Sequence, residues 1–378
     1  MREYALVFLV AVAVTYLLTV VAREIAVRTG AVAAVRDRDV HDEPIPYLGG
    51  LAMLGGLVAA YLVARELPFL SLSDTFVFRD AGVVLIAGAI TCAVGVLDDI
   101  FDLDALTKFG GQLLAAGFLV YKNIQFTYFI KPDGGQFSLE YTQAALLTVF
   151  VVVATMNAVN FVDGLDGLAA GVVAMGALAF FAFCYQLANL NKVSLATTGA
   201  LLSAMLAGAC VGFLPHNVHP ARLFMGDSGS MLLGLFLAAS AITLTGQYPP
   251  SSLQNGAFGS DASLVPMLLP LALPISWLML PLADLVLAVF RRTRAGRSPF
   301  APDKQHLHHR MLEIGHSHRR AVLILWLWAA LIAFGTVAIS LYTGPMMWIL
   351  LASALLLTVV ATFVLPVVRR PELSASAS

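Results

Sequence analysis

The chain alternates between long apolar runs and short polar stretches along its whole length. A helix needs about 20 apolar residues to cross the hydrocarbon core of a bilayer, within a range of about 17 to 25. About eleven segments fit this interpretation, although the second and fourth are short and the ninth is long, and we predict that each is a transmembrane helix. Their limits are 5–22, 49–64, 80–97, 108–122, 143–159, 166–189, 195–214, 230–246, 263–290, 321–342 and 345–367. The pattern therefore predicts an all-α polytopic membrane protein.

Three of these stretches carry additional signals. The ninth apolar segment contains Pro270, Pro274 and Pro281, and we expect these prolines to kink or split its helix. Residues 123–141, with a proline and two glycines at the centre, predict a small external β-hairpin. The first segment is followed by arginines and has no small-residue cleavage pattern. It is therefore expected to be a first spanning helix and not a removed signal peptide.

The composition supports a membrane protein. Of 378 residues, 59% are hydrophobic and 12% are charged, and the mean hydropathy is +0.85. Soluble domains carry about 25% charged residues, so an ordinary soluble protein is excluded. We predict one integral membrane domain over 1–368 and a disordered, serine- and alanine-rich tail over 369–378. Cys92, Cys184 and Cys210 lie in apolar runs and predict core positions without a disulfide framework.

The distribution of lysine and arginine predicts the orientation. If the N-terminus lies outside, 16 of these residues fall on the cytoplasmic side and six fall outside. This bias favours an outside N-terminus and a cytoplasmic C-terminus in the cell membrane. The same topology places all eight histidines in the cytoplasm. It also places there the four polar segments that interrupt the apolar pattern.

These four polar segments are the candidates for chemistry. Ionisable groups in or near a bilayer are costly and are retained mostly for function. If all four lie on one side of the membrane, they can build a single site. We refer to them as the first to fourth polar segments: 98–102, 157–167, 225–230 and 303–310.

The first polar segment is rich in aspartate. In a helix, Asp98 and Asp102 lie on one face, and Asp99 lies about a quarter-turn away. Adjacent carboxylates repel each other unless a cation or a shared proton intervenes. Mg²⁺ prefers oxygen ligands, and Lys108 offers a point charge for a phosphate. The alternative is a solvated acidic loop.

The second polar segment repeats an amide or carboxyl side chain every three residues. These residues are Asn157, Asn160, Asp163 and Asp166. In a continuous helix they would spread over about half of the circumference. We expect Gly164 and Gly167 to break the helix and to let the backbone approach a ligand. The alternative is a purely structural turn.

The third polar segment, 225–230, directly precedes an apolar helix. Backbone N–H groups at a helix N-terminus bind anions, and a carboxylate such as that of Asp227 is favoured in its ionised form there. This combination suits a metal ion with a phosphate. An ordinary helix cap is the alternative.

The fourth polar segment lies in the longest basic loop. Arginine and lysine suit a diphosphate, and His306, His308 and His309 can donate hydrogen bonds to phosphate oxygens. A zinc site is an alternative, although no cysteine accompanies these histidines. His41 precedes the second span at a position suited to a lipid phosphate. Asp284 either lines the pocket or pairs with a basic residue, and both interpretations stay open.

Taken in order, these segments resemble the polyprenyl-phosphate N-acetylhexosamine-1-phosphate transferases, the family of MraY and of WecA and TagO. The fourth segment, DKQHLHHR, is similar to the WecA and TagO branch, and the likeness is closest to WecA-type enzymes. The matching stretches are RDVHDEPIPYLGG, VGVLDDIFDLDALTKFGGQ, NAVNFVDGLDGLAAG, FLPHNVHPARLFMGDSGS and RRTRAGRSPFAPDKQHLHHR.

The resemblance implies a reaction. The enzyme would transfer GlcNAc-1-phosphate from UDP-GlcNAc to deca- or undecaprenyl phosphate and release UMP, as the lipid-linked first step of a cell-wall or surface polysaccharide. It implies ten or eleven spans, a cytoplasmic site and Mg²⁺ as cofactor, with Mn²⁺ as an alternative ion. We expect no nucleic-acid partner, and a homodimer is left open.

The resemblance also implies residue roles. Catalytic roles fall to Asp98, Asp99, Lys108, Asp227, His306, His308, His309 and Arg310. Substrate-binding roles fall to His41, Asn157, Asn160, Asp163, Asp166 and Phe224, whose ring would stack on uracil. Asp227 and Asn160 would hold the metal ion.

Two other classes of protein are alternatives. An intramembrane prenyltransferase of the UbiA type also uses aspartate-rich motifs, but it would release pyrophosphate, and the third and fourth polar segments argue against it. A lipid-linked sugar transporter or flippase predicts charges near the bilayer midplane and repeated halves. Here the acidic residues cluster at one predicted face, and no internal repeat is visible.

Overall fold

The computed structural model describes residues 1–32, 44–130, 136–190, 195–245, 293–294, 296, 311, 315–342 and 344–363. Within these ranges the chain forms eleven named helices and two strands. They are α1 (Arg2–Thr29), α2 (Gly49–Glu66), α3 (Pro68–Ser71), α4 (Thr75–Phe101), α5 (Ala105–Tyr121), β1 (Tyr128–Ile130), β2 (Gln136–Ser138), α6 (Tyr141–Val162), α7 (Leu168–Leu190), α8 (Leu195–Asn217), α9 (Gly226–Thr245), α10 (His318–Leu341) and α11 (Pro345–Phe363).

The helices confirm the predicted all-α polytopic membrane protein. Nine of the described helices are long and apolar enough to cross a membrane, and α5, with 17 residues, is at the lower limit for a span. Ten of the predicted spans therefore coincide with a described helix. The ninth, 263–290, which includes Asp284, lies outside the described residues. The total number of spans and their orientation stay predictions.

The predicted hairpin is present. Strands β1 and β2 pair antiparallel, with Tyr128 opposite Ser138 and Ile130 opposite Gln136. The turn between them, 131–135, lies outside the described residues, as does the predicted tail, 369–378.

Helix α9 forms the centre of the bundle. In the 18-residue apolar stretch with which α9 could span a membrane, 94% of the residues are buried, compared with 11% in the corresponding stretch of α11. It packs against α4, α6 and α8, whereas α10 packs against α7 and α11. A helix that is apolar on all sides can face lipid or other helices, and the burial of α9 shows that other helices surround it. The third polar segment, at the N-terminus of α9, is consequently held in the middle of one end of the bundle.

Two glycines allow α9 to begin between α2 and α4. A Cβ atom added at Gly95 in α4 would overlap the backbone N and Cα of Ser228, and one at Gly50 in α2 would overlap the Ser228 carbonyl carbon. Small residues let helix backbones approach closely inside a membrane. The Gly50 N–H also donates a hydrogen bond of 3.1 Å to the Met225 carbonyl. The first turn of α9 is thereby fixed by backbone contact on two sides.

At the opposite end of the bundle, a carboxylate joins α1 to α3. Glu3 accepts hydrogen bonds of 2.8 Å from the backbone N–H groups of Phe69 and Leu70. These donors belong to the first turn of α3, where no intrahelical acceptor exists for them. This contact fixes the connection that follows α2.

We expect Gly95→Ala to destabilise the fold, because the added methyl group meets backbone and not a flexible side chain. Overpacking of this kind costs about 1–3 kcal/mol. Gly117→Ala in α5 is the matched control, since a Cβ there meets nothing within 4 Å; it should stabilise the protein by up to about 1 kcal/mol. Thermal unfolding in detergent measures both variants. Equal melting temperatures for the two variants would contradict the importance of this close approach.

Candidate active site

The N-terminus of α9 is capped by a carboxylate from another helix. Asp99, near the end of α4, accepts a hydrogen bond of 2.8 Å from Asp227 N at Oδ1 and one of 3.3 Å from Ser228 N at Oδ2. A negative charge at this position is stabilised by the helix dipole and by the free N–H groups. Gly226 leaves space for the Asp99 carboxylate, because a Cβ atom at this position would overlap it. The φ angle of Gly226 is 67°, a conformation that also favours glycine. The first and third polar segments are thus bound directly to each other.

Lys108 joins two of the aspartates. Its Nζ lies 3.2 Å from Asp98 Oδ2 and forms an ion pair with Asp227 Oδ2. A tight turn brings it there: α4 ends at Phe101, the next residue, Asp102, has a positive φ of 52°, and Asp104 caps the start of α5. We call Asp98, Asp99, Lys108 and Asp227 the carboxylate cluster. With all three aspartates ionised, its net charge is −2.

Asn160 connects the second polar segment to this cluster. Its Nδ2 donates to Asp227 Oδ1 at 2.7 Å and to Ser230 Oγ at 2.9 Å. Asn157 instead faces α5 and donates to Gln112 Oε1 at 2.7 Å. Gln112 in turn donates to Met231 Sδ at 3.2 Å. The two asparagines therefore point to different neighbours, as the three-residue spacing predicts.

The helix ends just before Gly164 and Gly167, the two glycines predicted to break it. Helix α6 ends at Val162, and Gly167, with a φ of 80°, closes the turn before α7. Asp166 in this turn accepts from Ala221 N at 3.1 Å and lies 2.8 Å from His219 Nδ1. Asp166 consequently contacts the chain between α8 and α9 and not the carboxylate cluster.

Asp163 lies between these two groups of side chains. Burial, together with the carboxylates of Asp99 and Asp166, raises the pKa of the Asp163 carboxyl to about 7. Desolvation and neighbouring negative charges both disfavour the ionised form. Asp163 therefore titrates near neutral pH in the ligand-free protein.

Phe224 is held by a short backbone pairing with the chain that enters α2. Its N–H donates to the Pro46 carbonyl at 2.9 Å, and its carbonyl accepts from Gly49 N at 3.1 Å. Its partly exposed ring lies 6.0 Å from the ring of Tyr47. The aromatic face predicted to bind a base is thus present at the same end of the bundle as Asp227.

The structure brings together the first three polar segments. The remaining predicted site residues lie outside the described residues: His41, His306, His308, His309 and Arg310.

Sequence reasoning missed four polar residues. Gln112 had a usable signal, since it is a buried amide one helical turn after Lys108. Asn217 is also buried, where it accepts from Gly167 N at 3.0 Å and donates to the Leu223 carbonyl at 3.0 Å. Ser230 lies in the third polar segment and His219 lies in a stretch that carries the resemblance, but nothing in the sequence assigned either of them a role.

The profile of glycosyl transferase family 4 matches residues 81–245, which include the first three polar segments. Decaprenyl-phosphate N-acetylglucosaminephosphotransferase from Mycobacterium tuberculosis is 46% identical over 376 residues, covering 98% of this chain and 91% of the relative. The chain belongs to glycosyl transferase family 4. The predicted resemblance to WecA-type transferases is confirmed.

Two further relatives of this family 4 chain extend the comparison. The protein of the same name from Mycolicibacterium smegmatis is 46% identical over 374 residues, with 98% of this chain and 90% of the relative covered. A probable undecaprenyl-phosphate N-acetylglucosaminyl 1-phosphate transferase from Bacillus subtilis is 32% identical over 330 residues, with coverage of 86% and 82%. The similarity thus spans nearly the whole family 4 chain.

The raised pKa of Asp163 predicts a pH-dependent stability. Its carboxyl titrates near pH 7 in the folded protein and near about 3.9 when unfolded. The native free energy of unfolding therefore falls as the pH rises from about 4 to about 7. Asp163→Asn removes this loss, so its melting temperature relative to the native protein should rise across that window. The measurement is thermal unfolding in detergent with a chelator present.

Asp104→Asn is the control with the opposite sign. Hydrogen bonds from Thr107 and Leu106 lower the pKa of Asp104, so the ionised cap stabilises the native protein above the unfolded pKa. The variant should match native stability only at acidic pH and fall below it as the pH rises. A pH-independent difference for Asp163→Asn would contradict the assignment.

Proposed function

We propose that this chain transfers N-acetylglucosamine 1-phosphate from UDP-GlcNAc to a polyprenyl phosphate at the cytoplasmic face of the cell membrane. The observation that carries the proposal is the convergence of three polar segments, distant in sequence, around Lys108 at the N-terminus of α9. Carboxylates, an amide and a lysine at the end of an apolar bundle suit a nucleotide from the cytosol and a phosphate on a lipid tail. The charge bias of 16 to six supports the cytoplasmic side.

The relatives support the choice of substrates. The mycobacterial relatives, at 46% identity, are decaprenyl-phosphate N-acetylglucosaminephosphotransferases by name. The relative from Bacillus subtilis, at 32% identity, carries an undecaprenyl name. We therefore favour decaprenyl phosphate as acceptor. Sugar-phosphate transfer in these relatives disfavours the prenyltransferase and transporter alternatives for this chain.

The carboxylate cluster fits a magnesium ion. Its three carboxylates exceed its one ammonium group by two negative charges when all are ionised, and Mg²⁺ prefers such oxygen ligands together with phosphate. Asp227 and Asn160 would hold the ion, with the Asn160 amide turned so that its oxygen faces it. Mn²⁺ is an alternative ion. A bound ion would supply charge neutralisation at the diphosphate.

The two adjacent aspartates have different surroundings, which suggests different roles. Both carboxylate oxygens of Asp99 accept hydrogen bonds from backbone N–H groups of α9, and Asp99 thereby positions Asp227. Asp98 accepts from Leu103 N at 3.0 Å and from Lys108 at 3.2 Å. We assign to Asp98 the orientation and deprotonation of the lipid phosphate.

The reaction exchanges one phosphoanhydride for another. An oxygen of the lipid phosphate attacks the sugar-side phosphorus of UDP-GlcNAc, the bond from that phosphorus to the bridging oxygen breaks, and UMP leaves with that oxygen. Lys108 neutralises charge on the transferred group, and its position between Asp98 and Asp227 fixes where a phosphate can bind. Since the bonds formed and broken are alike, the equilibrium is close to neutral.

The direct test is release of UMP by purified protein from UDP-GlcNAc, decaprenyl phosphate and Mg²⁺. Asp227→Asn should lower kcat at least about a hundredfold, because it removes the carboxylate that would hold the cation acting on the diphosphate. Glu24→Gln is the control, since the Glu24–Arg28 pair is exposed on α1. Release of pyrophosphate instead of UMP, or full activity of Asp227→Asn, would contradict the proposal. Competing UDP-sugars in the same assay determine donor selectivity.

The division of labour between the aspartates makes a second prediction. Asp98→Asn should lower kcat about 10² to 10⁴-fold and leave the melting temperature near native, since the amide oxygen of the variant can still accept from Leu103 N. Asp99→Asn should also lower the melting temperature. The amide NH₂ group of the variant would face an N–H donor of α9 without accepting from it, and about 1 kcal/mol of capping would be lost. A native melting temperature for Asp99→Asn would refute the capping role.

A further inference from the structure

A second group of ionisable side chains lies beside the carboxylate cluster. Asp166 comes from the turn between α6 and α7, His219 from the chain between α8 and α9, and His318 is the first residue of α10. One ligand atom from each lies within 4.8 Å of the other two. We call these three residues the histidine cluster. Neither histidine has a part in the proposed transfer reaction.

The ring of His318 has unused hydrogen-bonding capacity. Both of its nitrogens are buried, and neither has a hydrogen-bond partner among the residues that the structure describes. Its ring stacks on that of His219, with centroids 4.2 Å apart and planes at 17°. Buried polar atoms without partners are uncommon and costly. Among the described residues nothing occupies these nitrogens, which lie next to the Asp166 carboxylate.

The backbone around the cluster is already anchored. Arg319 Nε donates to the His219 carbonyl at 2.8 Å, and Trp326 Nε1 donates to the Gly167 carbonyl at 3.2 Å. Ala221 N donates to Asp166 Oδ2 at 3.1 Å. The three segments that supply the cluster are consequently tied to one another. Outer contacts of this kind orient the ligands of metal sites.

We propose that Asp166, His219 and His318 bind one divalent transition-metal ion, with Zn²⁺ as the ion that best suits these donors. Two imidazole nitrogens and one carboxylate oxygen leave a fourth position for water or a ligand oxygen. Imidazole donors favour zinc, cobalt and nickel, whereas Mg²⁺ prefers the oxygen donors around Lys108. The two sites are therefore chemically separate.

Binding requires a defined movement. Bonds of about 2.0–2.1 Å in a tetrahedral site place ligand atoms about 3.4 Å apart, so the three ligand atoms, which now lie within 4.8 Å of one another, must adjust their separations. The lone pairs lie in the ring planes, and the stacked rings must therefore open. Rotation of the His318 side chain away from the stack achieves this. The bound ion would then link the start of α10 to the turn that precedes α7.

The experiment uses the full chain in detergent after treatment with a chelator. Titration with Co²⁺ should give visible d–d absorption that saturates at one ion per chain, and Zn²⁺ should abolish it by displacement. Millimolar Mg²⁺ should leave it unchanged. Zn²⁺ should also raise the melting temperature, since it binds the folded state selectively. Absence of the band at micromolar protein and metal would overturn the proposal.

Variants locate the site. His219→Gln and His318→Gln should each weaken Co²⁺ binding at least about tenfold. His216→Gln is the matched control, because His216 packs against Tyr16 outside the cluster, and it should bind as the native protein does. Loss of the band in a His306→Gln, His308→Gln double variant, with retention in His219→Gln, would place the ion elsewhere and refute the assignment. Because binding is read without turnover, the result is independent of the proposed transferase activity.

Discussion

The site depends on one interaction: the Asp99 carboxylate accepts hydrogen bonds from two backbone N–H groups of α9. This contact sets the position of α9 relative to α4 at the end where the polar residues meet. Asp227 is one of the two donors, so its side chain is placed by the same contact. Lys108 can bridge Asp98 and Asp227 only when that placement holds. In a site with low dielectric, such charge-assisted bonds are strong, and their loss is correspondingly costly.

The apolar core and the polar end support each other. Helix α9 is surrounded by neighbours, and Gly50 and Gly95 allow its first turn to touch two of them. Buried amides then join the helices around it: Gln112 contacts Asn157 and Met231, and Asn217 holds the turn before α7. Ionisable groups near a bilayer are costly. A rigid apolar frame is what keeps these charges close together and paired.

The polar end contains two groups with different donors. The carboxylate cluster offers oxygen atoms and one ammonium group, whereas the histidine cluster offers imidazole nitrogens beside Asp166. Asp163 lies between the two clusters, and the negative charges of Asp99 in one and Asp166 in the other both raise its pKa. The chain thus places hard oxygen ligands and softer nitrogen ligands on connected turns at one end of the bundle.

The sequence by itself determined the membrane-spanning helices, the hairpin and the chemistry of the polar segments, because apolar length, turn residues and side-chain type are local properties. It also predicted the break at Gly164 and Gly167 and the divergence of Asn157 and Asn160, which follow from helical geometry and glycine. Only the tertiary structure decided that Asp99 caps a helix 128 residues away, and that Asp166 faces His219. Such pairings depend on how helices pack and rotate against one another, and that is settled by the whole core together.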